Sequence, residues 1–406
     1  MRYAPVMLLT GSGRLGPGGR SPWAIHVRHG RIAWIGDPRE APNDEERVDV
    51  GTALLTPGLV DSHTHPVFTG DRADEAAARL EGVPYTEGGI LRTVRATRAA
   101  TDADLEARVE SRLRAALAAG TTTVECKSGY GLTLDEEVRH LRIVRRVADR
   151  LPIRVVATLL GAHAIPPETA SAAEHVAHVA DEMIPAVARE GLAEFVDVFV
   201  DEGFFDIPAV ERIGAAAGRA GLGLRLHAEQ LGRTGATEAG IRLGAASVDH
   251  LEHLDHVGVA ALAASGTVAT LLPAPAIVLR SPPPPARALL DAGANVALAS
   301  DSNAGTYGGF GTMPLVIGLG ATLLGMTVAE ALTAATAGAA SALRLSDLGR
   351  LEVGARADLV AWDAEHEGAF ALRLGAVRAL RAWIDGREVP TDATLPAPSP
   401  TKDRPQ

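Results

Sequence analysis

Eight short apolar segments alternate with helix-like segments between residues 54 and 301, and this rhythm constrains the fold more than any other feature. Each apolar segment has the length of a buried strand and ends in polar side chains, while the intervening stretches are rich in Ala, Leu, Arg and Glu. Eight buried strands alternating with helices over roughly 250 residues predict an α/β fold, a (β/α)8 TIM-like barrel. The predicted strands span residues 54–65, 121–127, 154–163, 195–202, 223–229, 246–253, 267–273 and 295–301.

The segments that flank this repeat have the pattern of β-structure. Residues 1–56 and 348–390 contain short stretches of alternating apolar side chains, separated by turns rich in Gly, Pro, Asn and Asp. The simplest architecture is a small β-sandwich built from both flanking segments, with residues 57–347 forming the barrel. The tail 391–406 is polar and rich in proline, so we expect it to be disordered.

One string in the first flanking segment matches G-x-G-x-x-G, from Gly11 to Gly16. A dinucleotide site needs a helix directly after this string, so that the helix N-terminus meets the pyrophosphate. Residues 17–22 contain two prolines and two glycines and are a poor helix start. We therefore interpret the string as a hairpin loop.

Charge and cysteine content exclude several classes of protein. A net charge of -11 argues against nucleic acid or an anionic membrane surface as the main partner. The single cysteine, Cys126, excludes an intrachain disulfide and fits a reducing compartment. Neither a secretory signal nor an apolar stretch of about 20 residues is present, so we expect a soluble cytoplasmic protein that does not enter a membrane.

Polar side chains follow the predicted strands, at the barrel end where catalytic groups are found. His63 and His65 lie two residues apart on an extended segment and therefore project to the same side. Such a pair alone is equally consistent with a polar strand-to-loop transition. Six of the 13 histidines nevertheless fall at strand ends that converge on one mouth, which favours a metal site. The candidates at these ends are His63, His65, Arg72, Glu125, Lys127, Ser128, Tyr130, His163, His227, Glu229, Gln230, His250, Glu252, His253, Asp301 and Asn303.

Three imidazoles and one carboxylate from this set form a plausible shell for one catalytic metal ion, leaving a position open for water. The candidate ligands are His63, His65, His227 and Asp301. Asp301 could also accept a proton from the attacking water, and His250 could carry a second proton or orient the electrophile. Glu229 is interpreted as a structural residue, because the shell is already filled.

The scarcity of lysine bears on the number of metal ions. Two-metal hydrolases of this architecture commonly use a carbamylated lysine on a middle strand, and the fourth predicted strand has none. Besides Lys402, the only lysine is Lys127, on the second strand. We therefore expect one divalent or trivalent ion per subunit.

Several motifs resemble the amidohydrolase superfamily and, more narrowly, the imidazolonepropionase family. His-x-His at 63–65 is a signal of the superfamily, whereas Lys-Ser-Gly-Tyr-Gly at 127–131 and Gly-Ala-His-Ala-x-Pro-Pro at 161–167 are specific to the narrower family. Further matches lie at 57–75, 249–253 and 300–303, and the resemblance runs from about residue 50 to 390.

The resemblance implies hydrolytic opening of the ring of 4-imidazolone-5-propanoate to N-formimidoyl-L-glutamate, in histidine degradation. It implies zinc or iron (Zn2+ or Fe) at the four ligand positions, and it suggests a homodimer. The candidate catalytic residues are then His250, Asp301 and His163, the last by polarising a carbonyl or taking part of the developing charge. The implied substrate contacts are Arg72, Tyr130, His163, Gln230, Asn303, Gly305 and Thr306.

Three positions depart from the family pattern. The segment 82–90 is shorter than usual, Ala304 stands where proline is common, and Gln230 replaces a glutamate found in some relatives and most related deaminases. An amide cannot carry protons, so His250 and Asp301 would have to do so. The alternatives are a mononuclear deaminase of a cyclic amidine or purine, which would not need Arg72, and a catalytically silent scaffold, which would lack metal ligands.

Overall fold

The computed structural model describes residues 6–19, 21–43, 46–82 and 88–391, and its strands form three sheets. The strands are β1 (Met7–Gly11), β2 (Trp23–Arg28), β3 (Arg31–Gly36), β4 (Arg47–Asp49), β5 (Leu54–Pro57), β6 (Leu59–Asp61), β7 (Thr121–Lys127), β8 (Arg154–Ala162), β9 (Phe195–Val200), β10 (Gly223–Ala228), β11 (Ser247–His250), β12 (Val268–Leu271), β13 (Val296–Leu298), β14 (Leu359–Trp362), β15 (Ala379–Ile384) and β16 (Arg387–Val389). The predicted tail beyond Thr391 and most of the segment 82–90 lie outside the described residues.

Helices follow most of the barrel strands and cover the outside of the barrel. They are α1 (Ala73–Leu80), α2 (Gly88–Ala99), α3 (Asp102–Ala118), α4 (Leu134–Ala148), α5 (Ala172–His178), α6 (Ile184–Glu190), α7 (Ile207–Arg219), α8 (Ala236–Arg242), α9 (His256–Ala263), α10 (Pro273–Leu279), α11 (Ala286–Asp291), α12 (Met313–Thr322), α13 (Val328–Thr333), α14 (Ala339–Ala342) and α15 (Ala369–Leu372). Two π-helical turns, Val179–Met183 and Ala334–Gly338, join α5 to α6 and α13 to α14. Among the described residues, no helix has the length and apolar character needed to cross a bilayer.

The strands β6 to β13 form one parallel sheet in chain order, which confirms the predicted barrel. The barrel closes just beyond β6 and β13, where Thr64 and Ser302 form a parallel bridge. The backbone N–H of Asp301 donates to the carbonyl of His63 at 3.0 Å, and that of His65 donates to the carbonyl of Ser302 at 2.9 Å. Predicted metal ligands therefore make the hydrogen bonds that close the barrel.

The flanking segments form two four-stranded sheets, β3-β2-β1-β4 and β16-β15-β14-β5, whose facing side chains share one apolar core around Trp23 and Trp383. The predicted sandwich is thus present, with β5 from the N-terminal side pairing with β14 from the C-terminal side. Its exact domain boundaries remain predictions. β1 and β2 are antiparallel, so the glycine string of residues 11–16 leads through a hairpin connection, as predicted.

The prediction of one continuous strand over residues 54–65 was wrong. The chain leaves the sandwich after β5 and enters the barrel at β6, because Pro57 has no N–H to donate and Gly58 sits against β7. A Cβ on Gly58 would lie 2.2 Å from the hydroxyl oxygen of Thr122. Residues 351–358, also predicted as β-structure, form turns against β3, where the N–H of Ile32 donates to the carbonyl of Ala355.

Replacing Gly58 should test this close packing between the two sheets. We expect Gly58→Ala to lower the free energy of unfolding by about 1–3 kcal/mol, because the added methyl group overlaps Thr122. Gly218→Ala in α7 is the matched control, since a Cβ there meets nothing within 4 Å. Its stability should be unchanged or higher by up to about 1 kcal/mol. Equal unfolding midpoints in denaturant for the two variants would contradict the steric explanation.

Candidate metal centre and substrate pocket

Imidazole rings from the segment after β6 and from β10 lie close together at the mouth of the barrel. The Nε2 atom of His63 lies 3.1 Å from Nε2 of His227 and 3.3 Å from Nε2 of His65. Asp301 completes the group, with Oδ1 at 3.3 Å from Nε2 of His65 and 3.6 Å from Nε2 of His63. All four side chains are buried.

The protons of two of these rings are fixed by carboxylates behind them. Nδ1 of His63 donates to Asp249 at 2.7 Å, and Nδ1 of His227 donates to Asp197 at 3.0 Å. Burial, followed by the charge of Lys127, lowers the pKa of His63 well below its ordinary value, and burial also lowers that of His227. Both rings are therefore neutral, and their Nε2 lone pairs face each other.

Lone pairs at this separation repel unless a cation lies between them. Zinc–nitrogen bonds of about 2.0–2.1 Å in a tetrahedral site place ligand atoms about 3.3–3.4 Å apart, close to the separations found here. His63, His65 and Asp301 offer donor atoms that one ion can reach, and so do His63, His227 and His250. The residues present fit a metal ion. In a third group, donor atoms of His63, Asp197 and Asp249 also lie close together. The two carboxylates are there because they accept hydrogen bonds from Nδ1 of His227 and Nδ1 of His63.

A layer of buried charge lies directly below the imidazoles. Lys127 donates to Glu125 at 2.8 Å and to Asp197 at 2.7 Å, while Arg225 donates to Asp249 at 2.8 Å. Sequence reasoning missed the roles of Asp197, Asp249 and Arg225. A signal was available for Asp197 and Arg225, because each is a charged residue inside a strand that is otherwise mostly apolar and buried.

The charges of this layer and of Asp301 do not balance by themselves. The four buried carboxylates are Glu125, Asp197, Asp249 and Asp301, and the two buried cations are Lys127 and Arg225. This leaves an excess of two negative charges, which one divalent ion would neutralise. Asp61 does not add a full negative charge to this excess, because burial raises its pKa to about 7. His250 and Glu252 pair with each other and do not change the excess.

His250 and Asp301 differ in their protonation. Burial would lower the pKa of His250, but the carboxylates of Glu252 and Asp301 outweigh burial and raise it above its ordinary value. Burial would raise the pKa of Asp301, but a hydrogen bond from His65 and the charge of His250 bring it to about 2. Nε2 of His250 lies 4.0 Å from Oδ2 of Asp301. The ionised carboxylate of Asp301 therefore lies next to the imidazole of His250, which binds a proton more readily than a free histidine.

Several strands end earlier than predicted because site residues leave the extended conformation. Glu229, His250 and Asp301 have positive φ angles of 56°, 84° and 48°. Non-glycine residues rarely adopt this conformation, and where they do the surrounding structure must hold it. Glu229 directly follows β10, His250 ends β11 and Asp301 lies three residues beyond β13, so the chain changes direction at or just after each strand end.

A small cavity opens beside the imidazoles, with most of the predicted substrate contacts in its wall. The residues that line it are His65, Arg72, Ile90, Tyr130, His163, Phe199, His227, Gln230, His250, Asp301, Asn303 and Thr306. Ile90 and Phe199 were not predicted, because apolar side chains carry no chemical signal. The side-chain amide of Gln230 is buried and has no hydrogen-bond partner among the described residues, so it is available to a ligand.

His163 presents a lone pair to this cavity. Its Nδ1 lies 2.8 Å from the carbonyl of Gly129, and because a carbonyl only accepts, that nitrogen carries the proton. Burial, followed by the charges of His65 and His227, lowers the pKa of His163 well below its ordinary value. Nε2 is therefore an acceptor, which does not support the expected role of His163 in polarising a carbonyl.

Arg72 also lines the cavity and lies between two glycines. Its Nε donates to Glu75 at 2.9 Å. A Cβ on Gly89 would lie 1.9 Å from Nη2 of Arg72, and one on Gly305 would lie 2.1 Å from Nη1. Glycine at both positions leaves room for the guanidinium group where it lies, and Gly305 contributes by this packing although it does not line the cavity.

The loop after β13 is organised by Asn303. Its side-chain oxygen accepts from the N–H groups of Gly305 and Thr306 at 2.7 and 2.8 Å, and its amide nitrogen donates to Thr306 Oγ1 and to the carbonyl of Asp301. The N–H of Ala304 points to the hydroxyl of Tyr130 at 3.4 Å. In this geometry Asn303 shapes the loop that faces the cavity.

Some predicted candidates are directed away from the cavity. Glu229 accepts from the backbone N–H groups of Thr234 and Thr237 and pairs with Arg233, which agrees with its interpretation as structural. The hydroxyl of Ser128 accepts from the N–H of Leu160. These contacts fix the loops around the mouth.

The loop between His65 and Arg72 is held to α3 by a half-buried arginine, Arg112. Nη1 of Arg112 donates to the carbonyls of Pro66 and Phe68 at 2.6 and 2.8 Å. Its guanidinium carbon also lies 3.6 Å from the centre of the Phe68 ring, and that ring packs against Tyr130. Arg112 therefore fixes a segment that joins a candidate metal ligand to the candidate substrate contact.

Comparison with known proteins agrees with this geometry. The model of the amidohydrolase family matches residues 54–389. An imidazolonepropionase from Rubrobacter xylanophilus is 48% identical over 87% of this chain and 88% of its own length, and one from Pseudomonas putida is 46% identical over 90% and 94%. A zinc-bound adenosine deaminase from Xanthomonas campestris has the same fold, with a TM-score of 0.72 and 19% identity over 94% of this chain and 92% of that one. The chain therefore belongs to the amidohydrolase family, within the group of the imidazolonepropionases.

Proposed function

We propose that this protein is a metal-dependent hydrolase that opens the ring of 4-imidazolone-5-propanoate to give N-formimidoyl-L-glutamate, a step of histidine degradation. The observation that carries the proposal is one cavity whose wall contains His65, His227 and Asp301 of the candidate metal centre together with the buried Arg72. Relatives that are 46–48% identical over most of the chain and named as imidazolonepropionases support it. A cytoplasmic location and a homodimer remain predictions.

Hydrolysis of the ring amide forms a bond from water oxygen to the carbonyl carbon and breaks the adjoining carbon–nitrogen bond. The products are a carboxylate and an open formimidoyl amine, whose nitrogen gains a proton. A metal ion held by His63, His65, His227 and Asp301 would lower the pKa of bound water from about 15.7 to about 7 and polarise the carbonyl. The charge balance favours a divalent ion, either zinc or iron.

Two neighbouring residues can move the protons. Asp301, with a pKa of about 2, is ionised at neutral pH and can accept a proton from the attacking water. His250 lies 4.0 Å away and can deliver a proton to the leaving nitrogen. Gln230 cannot take part in proton transfer, so its amide serves to bind the ring.

The remaining cavity residues can bind and orient the substrate. The guanidinium of Arg72 can pair with the propanoate, and Glu75 holds its orientation. The lone pair of His163 Nε2 can accept a hydrogen bond from a ring N–H. Tyr130 and Thr306 offer hydroxyl groups to the remaining polar atoms of the substrate.

The direct test is hydrolysis of 4-imidazolone-5-propanoate by the purified protein, followed by the loss of substrate absorbance. We expect a chelator to abolish activity and one equivalent of zinc or ferrous iron to restore it, because His63, His65 and Asp301 offer donor atoms within reach of one ion and His227 lies beside them. Tight stoichiometric binding of two ions would contradict the single-metal site. Ammonia release from guanine or cytosine, without ring opening, would instead favour the deaminase alternative.

Replacing Arg72 tests the recognition of the propanoate. We expect Arg72→Ala to raise KM by roughly 10-fold to 150-fold, the value of a lost charge-assisted hydrogen bond, while the metal content stays unchanged. Arg95→Ala is the matched control, because Arg95 is an exposed arginine of α2 without a hydrogen bond among the described residues. Equal KM values for both variants would exclude Arg72 as the carboxylate contact.

Replacing His250 tests the proton-transfer step. We expect His250→Ala to lower kcat by about 100-fold or more, the usual contribution of a general acid–base group. His253→Ala is the control, since His253 lies three residues further on and outside the cavity wall. Steady-state kinetics at saturating substrate separate the two variants. A kcat close to that of the unmodified enzyme in His250→Ala would remove His250 from the mechanism.

A further inference from the structure

Lys127 is fully buried in the barrel, and Lys402 is the only other lysine of the chain. Nearly all other basic residues are arginines, so this position is unusual in its use of an ammonium group. Burying an ammonium carries a large desolvation cost that only close contacts with opposite charge can offset. Its two carboxylate partners, Glu125 and Asp197, are also fully buried.

One partner leads to the segment that carries His63 and His65. Nζ of Lys127 donates to Oε1 of Glu125 at 2.8 Å, and Oε2 of Glu125 accepts the backbone N–H of Thr64 at 3.0 Å. The hydroxyl of Thr64 donates to the carbonyl of Glu125 at 2.6 Å, and the N–H of Lys127 donates to the carbonyl of Thr64 at 3.0 Å. Thr64 is the residue between the two histidines.

The other partner leads to His227. Nζ of Lys127 donates to Oδ2 of Asp197 at 2.7 Å. The second oxygen of Asp197 accepts from both the backbone N–H and the Nδ1–H of His227, at 3.2 and 3.0 Å. A single ammonium group thus connects two strands, β6 and β10, that supply three of the four candidate metal ligands.

We propose that Lys127 is a positioning residue that holds the His63-Thr64-His65 segment and His227 at the mutual distance that a metal ion requires. Arg225 does not duplicate this role, because it contacts Asp249 and the carbonyls of Ser62 and Ala342. Those contacts support His63 but none of them reaches His227 or Asp197. The inference rests on the metal site of the proposed function and is independent of the substrate.

A purely electrostatic effect of Lys127 would have the opposite sign. An ammonium below the imidazoles repels a bound cation, so its removal would strengthen metal binding if charge alone mattered. Loss of positioning would weaken metal binding, because Asp197 and Glu125 would no longer be held together. The direction of the change therefore distinguishes the two effects.

The experiment compares full-length Lys127→Met with the unmodified protein, both loaded with zinc and transferred into excess chelator. We expect faster zinc release and a metal affinity lower by roughly 10-fold to 100-fold, as for other residues that orient metal ligands. Unchanged or slower release from a folded variant would overturn the proposal. Since zinc release is measured without substrate, a wrong substrate assignment does not affect the result.

Two further variants keep the test decisive. Val124→Ala truncates a buried side chain of the same strand that packs in the core outside the barrel, so it should destabilise the protein without faster zinc release. If Lys127→Met does not fold, Lys127→Met combined with Glu125→Gln retains the original net charge of the layer. This double variant should also release zinc faster than the unmodified protein, because Asp197 still lacks the ammonium group of Lys127. Release at the unmodified rate by this double variant would equally overturn the proposal.

Discussion

The interior of the barrel depends on the compensation of buried charge. Carboxylates on β7, β9 and β11 lie where water cannot reach them, and each is paired with an ammonium, a guanidinium or an imidazole. Below this layer the barrel is filled by apolar side chains around Phe195. Above it lie the histidines. From the interior toward the mouth, the barrel thus contains an apolar layer, a charged layer and a layer of imidazoles. The charged layer fixes the orientation of the imidazoles, so their nitrogen lone pairs are held at the mouth.

This arrangement is coupled to the closure of the barrel. The hydrogen bonds between the segments after β6 and β13 involve the backbones of His63, His65 and Asp301, whose side chains meet above them. Positive φ angles at His250 and Asp301 show that the strand ends accept an unfavourable conformation. The same residues therefore close the barrel through their backbones and supply the candidate metal ligands through their side chains. A change in the barrel closure would also move these ligands.

Much of this organisation could be predicted from the sequence, because the strand–helix rhythm and the polar strand ends are local patterns. The candidate ligands and most of the cavity wall follow from them. Other features depend on contacts between distant residues. The proton position on His163 is set by the carbonyl of Gly129, and the break at Gly58 is set by Thr122 on another strand. The sequences of α9 and α12 are apolar on nearly every face and lack the usual helical period, so the face that each helix buries cannot be assigned from sequence.

The position of Arg72 between Gly89 and Gly305 has a consequence for how this pocket can diverge. The two glycines come from segments more than 200 residues apart in the sequence, and a Cβ at either one would overlap the guanidinium group in its present position. If the arginine is lost first, the vacated space exposes Glu75, an acid that repels the same anionic ligand. Either glycine can therefore gain a side chain only if the guanidinium group moves, and that movement would take the positive charge away from its present place in the cavity wall.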